Sequence, residues 1–178
     1  MKLIAELIGV VGFIIAILSF QNKKRQGILV LQLISCTCWS LHFAFLGVWS
    51  GSLLNLIMAL RCLVFAPRGN PNSRFYKLAE WPGWIPVFIL LFTAAVAFSW
   101  IGWICLLPLC GSTLTTFAMR AKSARTVRLL TLPNNPMWLI YNAFTGSIFG
   151  CVTEASLIIS IIIGFLRHDV PARNKAEE

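Results

Sequence analysis

Charge is scarce in this sequence. Only 12% of the residues are charged, against about a quarter in a typical soluble domain. Apolar residues make up 58% of the chain. A chain of 178 residues cannot hide that many apolar side chains in a core of its own. An ordinary soluble domain is therefore excluded, and we expect lipid to cover the apolar faces.

Motifs for metal binding and catalysis are also missing. The six cysteines form no CxxC pair and no cluster with histidine, which argues against a metal site or a disulfide framework and favours small packing residues. No GxSxG, HExxH or P-loop occurs, and no two carboxylates lie on adjacent turns. We therefore expect no metal, no cofactor and no enzymatic activity. Any transport would be passive or coupled to an ion gradient.

The charges that are present are mostly positive, and the net charge is +9. In a soluble protein this balance would indicate a nucleic acid partner. Here the basic residues lie in short clusters between apolar runs, as the topology signals of membrane proteins do. We therefore expect a lipid bilayer as partner, and no nucleic acid.

The apolar runs predict seven membrane-spanning helices, since a span needs roughly 17–25 residues. The first six cover about 3–20, 27–47, 51–66, 84–99, 102–119 and 128–147, and the seventh follows a tight turn at 146–150 and ends at Phe165. The sixth is the weakest by hydropathy, because it contains two prolines and three asparagines. No small-x-small cleavage site precedes the first basic cluster, so we expect the first segment to be a span and not a cleaved signal peptide.

The basic clusters predict the orientation. They end or follow the first, third, fifth and seventh helices, whereas the alternate loops carry no basic residue. Positively charged loops stay in the cytoplasm. The N-terminus is therefore expected outside the cytoplasm and the C-terminus inside it.

An internal repeat relates the two halves of the chain. Residues 38–51 read CWSLHFAFLGVWSG and residues 137–150 read MWLIYNAFTGSIFG, and one fixed offset pairs Trp39 with Trp138 and Gly51 with Gly150. The repeat maps helices 1–3 onto helices 5–7 and leaves the fourth as a linker. A linker is needed because three spans reverse the direction of the chain. The predicted parts are a three-helix unit at 1–66, a loop and linker helix at 67–99, a second unit at 100–166 and a cytoplasmic tail at 167–178.

This 3+1+3 plan resembles the SWEET fold of the PQ-loop transporter superfamily, in which parallel repeats surround the solute path. The segment Phe20-Gln21-Asn22-Lys23-Lys24 is similar to the Pro-Gln motif with its basic cluster, but has Phe in place of Pro. The segment Trp138-Leu139-Ile140-Tyr141-Asn142 resembles the Trp-x-x-Tyr-Gly motif of the middle helix. The missing prolines remove the hinges on which a SWEET-like rocking motion is thought to depend.

The whole chain more closely resembles YgjV-type bacterial inner-membrane proteins, relatives of that superfamily. The pattern is Pro-Met-Trp-Leu-Ile-Tyr-Asn, then Gly-Ser, then a Glu near the start of the last helix. The resemblance implies a multi-pass protein of the bacterial inner membrane, with a periplasmic N-terminus and a cytoplasmic C-terminus. It also implies a permease for a sugar-like or other small polar solute.

Six residues are predicted to bind that solute. An ionisable group inside the bilayer is costly, so Glu154 is the strongest candidate, and Asn55 is its equivalent in the repeat. The full set is Asn55, Glu154, Trp39, Trp138, His42 and Asn142. Each has a plainer interpretation: Glu154 could be hydrated at the interface, Asn55 and Asn142 could join helices, and His42 and the tryptophans could simply pack.

Two further expectations concern the polar residues around this set. Asn135, Trp138, Asn142 and Thr145 share one face of the sixth helix, which should face other helices and not lipid. Arg61 is expected to extend its charged end to the inner interface.

Three functions fit the sequence. The first is a facilitator or proton-coupled permease that works by alternating access. The second is an accessory or structural membrane protein without transport activity, and the third is a channel-like homo-oligomer. A polar cavity between the two units would favour the first.

Overall fold

The computed structural model describes residues 2–47, 49–100, 102–144 and 148–170, and every regular element in these ranges is helical. The first five helices are α1 (Lys2–Phe20), α2 (Arg25–Phe45), α3 (Trp49–Phe65), α4 (Tyr76–Glu80) and α5 (Trp84–Phe98). A short 3-10 turn at Trp103–Cys105 precedes the remaining four, which are α6 (Leu106–Arg120), α7 (Ala124–Thr131), α8 (Asn134–Phe144) and α9 (Ile148–His168).

Three of these helices are long and apolar enough to cross a membrane. Their spanning segments are Leu3–Phe20, Arg25–Phe45 and Gly150–His168, and the shorter segments Gly51–Phe65 and Trp84–Phe98 are also apolar. Large apolar side chains point outward along them: Leu3 is 73% exposed and Phe98 is 92% exposed. The described part of the chain is thus all helical, and the exposed apolar surfaces of its helices suit contact with lipid.

The prediction that the sixth helix is one continuous element is wrong. Residues 128–147 were expected to form one span, but α7 ends at Thr131 and α8 begins at Asn134. The break falls at Leu132 and Pro133. Proline has no N–H to donate and clashes with the carbonyl of the preceding turn, which accounts for the interruption of the helix there.

Smaller differences lie at the other helix ends. The polar loop from Pro67 to Pro82 contains the short helix α4, which was not predicted from the sequence. Arg68 pairs with Glu80 at 2.9 Å, and Arg120 donates to the carbonyl of Glu80 at 3.2 Å, so the loop is tied to the end of α6. The last helix continues past Phe165 to His168.

The helices pack in two groups with α5 between them. Helix α2 lies against both α1 and α3, while α8 lies against both α6 and α9. Helix α5 contacts α3 on one side and α6 on the other. The two groups also touch directly, because α1 packs on α9 and α3 packs on α6. The largest buried cluster includes Phe20, Phe65 and Phe92 and joins the ends of α1 and α3 to the middle of α5.

Aromatic contacts recur at positions that the repeat makes equivalent. The rings of Trp39 and His42 lie 5.3 Å apart between centroids, and those of Trp138 and Tyr141 lie 5.8 Å apart. Both pairs are edge-to-face, with planes inclined at 81°. The two tryptophans that the repeat pairs therefore make equivalent contacts in the two halves of the chain.

A close helix approach recurs in the same way. A Cβ placed on Gly51 would lie 2.9 Å from Cγ of Phe43, and one placed on Gly150 would lie 2.6 Å from Cγ of Asn142. The fixed offset of the repeat pairs Gly51 with Gly150 and Phe43 with Asn142. Glycine is needed at both places because each neighbour occupies the space that a side chain would take.

Candidate functional site

A cavity of about 420 Å³ lies between the two groups of helices. Residues from α1, α2, α3, α6, α7, α8 and α9 line it. All six residues predicted to bind solute are in its wall: Asn55, Glu154, Trp39, Trp138, His42 and Asn142. Their placement around one cavity is observed, and their role in binding stays a prediction.

The cavity follows most of the length of α1. Its wall includes Glu6 near the start of this helix and Phe20 at its end, about 21 Å apart at 1.5 Å per residue. Glu6 and Leu46 are exposed, whereas Phe20, Arg61 and Met119 are buried. The cavity is thus open toward the start of α1. It is closed toward the opposite end of the bundle, here called the basic end, where basic residues follow α1, α3 and α6.

Glu154 is held by an amide from α8. Nδ2 of Asn135 donates to Oε2 of Glu154 at 3.0 Å. Asn135 is only 1% exposed, and its Oδ1 has no hydrogen-bond partner among the described residues. The pair therefore presents a carboxyl and a spare amide oxygen to the cavity, and both can accept a hydrogen bond from a solute.

Asn55 and His42 are already bonded within the protein. Nδ2 of Asn55 donates to the carbonyl of Gly51 in its own helix at 2.9 Å. Nδ1–H of His42 donates to the carbonyl of Ala5 at 2.7 Å, which joins α2 to α1. His42 thus has the packing role that its plainer interpretation foresaw, while its ring also forms part of the cavity wall.

The polar face of the predicted sixth helix lies on the cavity. Asn135, Trp138 and Asn142 belong to α8 and all line it. Thr145, the fourth member of that face, lies outside the described residues. The break before α8 does not disturb the spacing, because these three residues all follow it.

The expectation for Arg61 was wrong. Its side chain does not extend to the inner interface; the residue is 3% exposed and lines the cavity. Nη1 donates to the carbonyl of Ser112 at 3.0 Å and to the hydroxyls of Thr115 and Thr116 at 2.9 and 3.1 Å. Its guanidinium also lies over the ring of Phe92, 5.4 Å from the centroid. These contacts with α5 and α6 hold the side chain inside the bundle.

Sequence reasoning missed Arg61 as a cavity residue, although a signal was present. Arg61 stands inside an apolar run, one turn before α3 ends at Phe65. By the rule applied to Glu154, an intramembrane charge is a functional candidate. Position near a helix end suggested the lipid interface instead. Sequence reasoning also passed over other cavity-lining residues: Gln32, Ser35, Thr115, Thr131, Asn134 and Thr153.

Three polar atoms at the cavity have no partner. Among the described residues, the buried side-chain atoms without a hydrogen bond include Nε of Arg61, Oγ1 of Thr131 and Oδ1 of Asn135. All three residues line the cavity. An unsatisfied buried polar atom costs about 1–3 kcal/mol, so their concentration at one place favours a binding site over simple packing.

Two buried arginines close the basic end of the bundle. Arg25, at the start of α2, donates to the carbonyl of Phe65 at 2.8 Å and to that of Met119 at 2.6 Å, which joins the ends of α3 and α6. Arg128 in α7 donates to the carbonyl of Phe20 at 3.0 Å and to both carboxylate oxygens of Asp169. It therefore joins the ends of α1 and α9.

No group of three or more His, Cys, Asp or Glu side chains that could hold a metal occurs in the part of the chain that the structure describes. The cavity wall combines amide, hydroxyl, aromatic and guanidinium groups with the carboxyls of Glu6 and Glu154. Such a wall suits hydrogen bonding and stacking with a small polar molecule.

Comparison with known proteins gives a family and one relative. The chain matches the Imp-YgjV family, described as bacterial inner membrane protein, over residues 3–171. It is 22% identical over 165 residues to Inner membrane protein YgjV of Escherichia coli (strain K12), a match that covers 92% of this chain and 84% of that protein. No solved structure matches the chain.

Proposed function

Because the chain belongs to the Imp-YgjV family of bacterial inner membrane proteins, we propose that it is a permease for small polar solutes in that membrane. The proposed mechanism is alternating access, in which the two three-helix units move against each other around a central site. We also propose that the protein has no catalytic role.

The cavity carries this proposal. It lies between the two units and is lined by both, with Asn55 from one and Glu154 from the other. A bundle that served only as a membrane scaffold would gain nothing from a cavity of about 420 Å³ with polar side chains in its wall. Polar groups in a membrane interior are expensive and mark solute or ion paths.

The recurrent contacts support two parallel three-helix units joined by α5, as in the SWEET and PQ-loop transporters. Equivalent residues make the edge-to-face aromatic contacts and the close glycine approaches in both halves. The broken pair α7 and α8 also begins and ends at Ala124 and Phe144, positions equivalent to the ends of α2. The break at Pro133 therefore interrupts this element, but the element keeps the position in its unit that α2 has in the other.

The closed basic end supports a state that is open to the outside. If the basic clusters are cytoplasmic, the N-terminus is periplasmic and the open end near Glu6 faces the periplasm. The contacts of Arg25 and Arg128 then form the cytoplasmic closure. Opening toward the cytoplasm would require these arginines to leave their carbonyl partners.

Uptake into proteoliposomes tests the proposal. Liposomes that contain the purified protein should take up at least one member of a panel of radiolabelled sugars and amino acids faster than protein-free liposomes do. Glu154→Gln should abolish uptake driven by a proton gradient while the protein stays folded, because a neutral amide keeps the shape of the carboxyl and cannot release a proton. Ser156→Ala is the matched control on the same helix, since Ser156 bonds only its own backbone at Val152 among the contacts observed.

Two results would count against the proposal, the first against the permease itself and the second against the role of Glu154. The first is that no member of the panel enters faster than in protein-free liposomes, which would favour an accessory or structural role. The second is that Glu154→Gln leaves both the rate and its dependence on pH unchanged. In that case Glu154 is not on the solute path.

A further inference from the structure

Within the described ranges, no carboxylate pairs with the charge of Arg61. In the described residues, the ion pairs are Arg68 with Glu80 and Arg128 with Asp169. The nearby thiols of Cys36 and Cys62 are neutral when protonated and do not balance the charge. Its hydrogen-bond acceptors are a carbonyl and two hydroxyls, all neutral. A buried guanidinium with neutral partners leaves a positive charge at the closed end of the cavity.

Packing between the two units does not require this charge. The repeat places Ser160 of α9 at the position equivalent to Arg61, and Ile17 of α1 at the position equivalent to Thr116. Oγ of Ser160 donates to the carbonyl of Ile17 at 2.7 Å, so a serine makes the equivalent contact between helices. Arg61 joins the same kind of interface with a longer, charged side chain, and its Nε remains without a partner.

A negative group lies further along the same cavity. The repeat pairs Glu154 with Asn55, and Arg61 is six residues beyond Asn55 on α3, about 9 Å along the helix axis. Glu154 and Arg61 form no ion pair with each other among the described contacts. The cavity therefore presents a carboxyl and a guanidinium that a bound molecule can bridge.

We propose, resting on the permease function above, that the solute is a small zwitterion of the amino acid class. Its carboxylate accepts hydrogen bonds from Arg61, including the unpartnered Nε. Its ammonium group donates to the carboxyl of Glu154 and to Oδ1 of Asn135. One molecule then balances the charges of Arg61 and Glu154, which a neutral sugar cannot do. It also satisfies two of the three unpartnered cavity atoms.

Ligand-induced stabilisation of the purified full chain in detergent tests this assignment without requiring transport. The probes are each of the standard amino acids, with propionate, alanine methyl ester and glucose as compounds that lack the ammonium, the carboxylate or both. At least one amino acid should raise the melting temperature in a saturable way. Its ester, its deaminated analogue and glucose should not do so at the same concentration.

Variants locate the binding groups. Arg61→Gln and Glu154→Gln should each weaken the best amino acid by about tenfold or more, the usual effect of losing a charge-assisted hydrogen bond. Arg61→Lys keeps the charge and should retain part of the affinity, which separates binding from a folding defect. Arg74→Gln changes an exposed arginine outside the cavity, and Cys62→Ala removes a thiol beside Arg61; both should bind as the unmodified protein does.

The outcomes separate the two proposals. Stabilisation by an amino acid without any uptake would support the zwitterion site and overturn the permease. Uptake of glucose with no stabilisation by any amino acid would support the permease and overturn the zwitterion. Equal binding by Arg61→Gln, or an equal loss in Cys62→Ala, would also overturn the role given to the guanidinium.

Discussion

Two kinds of buried arginine occur in this bundle. Arg25 and Arg128 bind the carbonyls at helix ends and hold those ends together. Arg61 binds hydroxyls and one carbonyl on α6 and faces the cavity. Both kinds stand near the end of an apolar run in the sequence. The difference between them comes from the neighbouring helix, which no local pattern specifies.

Removal of the Asp169 carboxylate should destabilise the protein. Arg128 is 0% exposed, and its Nη1 lies 2.8 Å from Oδ2 of Asp169. Asp169→Ala would leave a buried guanidinium without its anion, which costs about 3 kcal/mol of unfolding free energy. Unfolding in mixed micelles with increasing SDS measures the loss. Arg74→Ala, at an exposed site, should change the midpoint little.

An unchanged midpoint for Asp169→Ala would show that water or lipid headgroups replace the carboxylate. The joint between α1 and α9 would then rest on the carbonyl contacts of Arg128 alone. Its contribution to closing the basic end would be correspondingly smaller.

For single residues, the sequence predicted which side chains line the cavity. It predicted less well which contacts each side chain makes there. Trp39, Trp138 and Asn142 were selected from the repeat and from helical spacing, and all three line the cavity. The partner of Glu154 was not predicted, because the contact with Asn135 depends on how α8 packs on α9. Such contacts are set by helix rotation, which hydropathy leaves undetermined.

Among the elements, the pair α7 and α8 departs most from expectation. Its low hydropathy was recognised in the sequence, and Pro133 was part of the reason. The position of the break and the earlier start at Ala124 were not predicted. Helix ends follow from capping and tertiary contacts, as with Ser123, which accepts from the backbone N–H of Thr126 at 3.1 Å.

The contact between α1 and α9 should tolerate no added side chain. Gly164 is so close to the carbonyl of Phe20 that a Cβ would overlap that oxygen. Backbone cannot move aside as a side chain does, so Gly164→Ala should cost about 1–3 kcal/mol. The same SDS unfolding assay measures it. Ile163→Ala is the matched control, because Ile163 is exposed on the adjacent position of α9.

Equal midpoints for Gly164→Ala and the unmodified protein would mean that the two helices can separate without cost. The contacts of Ser160 with Ile17 and Gln21 would then have to hold α9 in place without close packing. A change in Ile163→Ala as large as that in Gly164→Ala would point to a general effect of altering α9.

For the whole molecule, the charge pattern makes a prediction about orientation. A reporter that is active only in the cytoplasm should be active when fused after Lys175 and silent when inserted within 47–51. The physical reason is that basic loops are retained on the cytoplasmic side. Reporter activity is measured in colonies that express each fusion, and equal expression of the two fusions serves as the control.

The reverse pattern of activity would overturn the orientation and place the open end of the cavity on the cytoplasmic side. Activity at both sites would show that residues 47–51 and the C-terminus share one side of the membrane. An even number of spans would then separate the two sites, contrary to the seven-helix plan.

The closure at the basic end has a consequence for how this protein can vary. Its acceptors at Phe20, Phe65 and Met119 are main-chain carbonyls, which every amino acid supplies. Substitutions at those three positions leave the acceptors in place as long as the helices end where they do. Apart from the carboxylate of Asp169, which binds Arg128, the closure is therefore encoded mainly by two donor side chains, Arg25 and Arg128. Sequence drift can replace most of the surrounding apolar residues without altering the bonds that hold this end of the bundle shut.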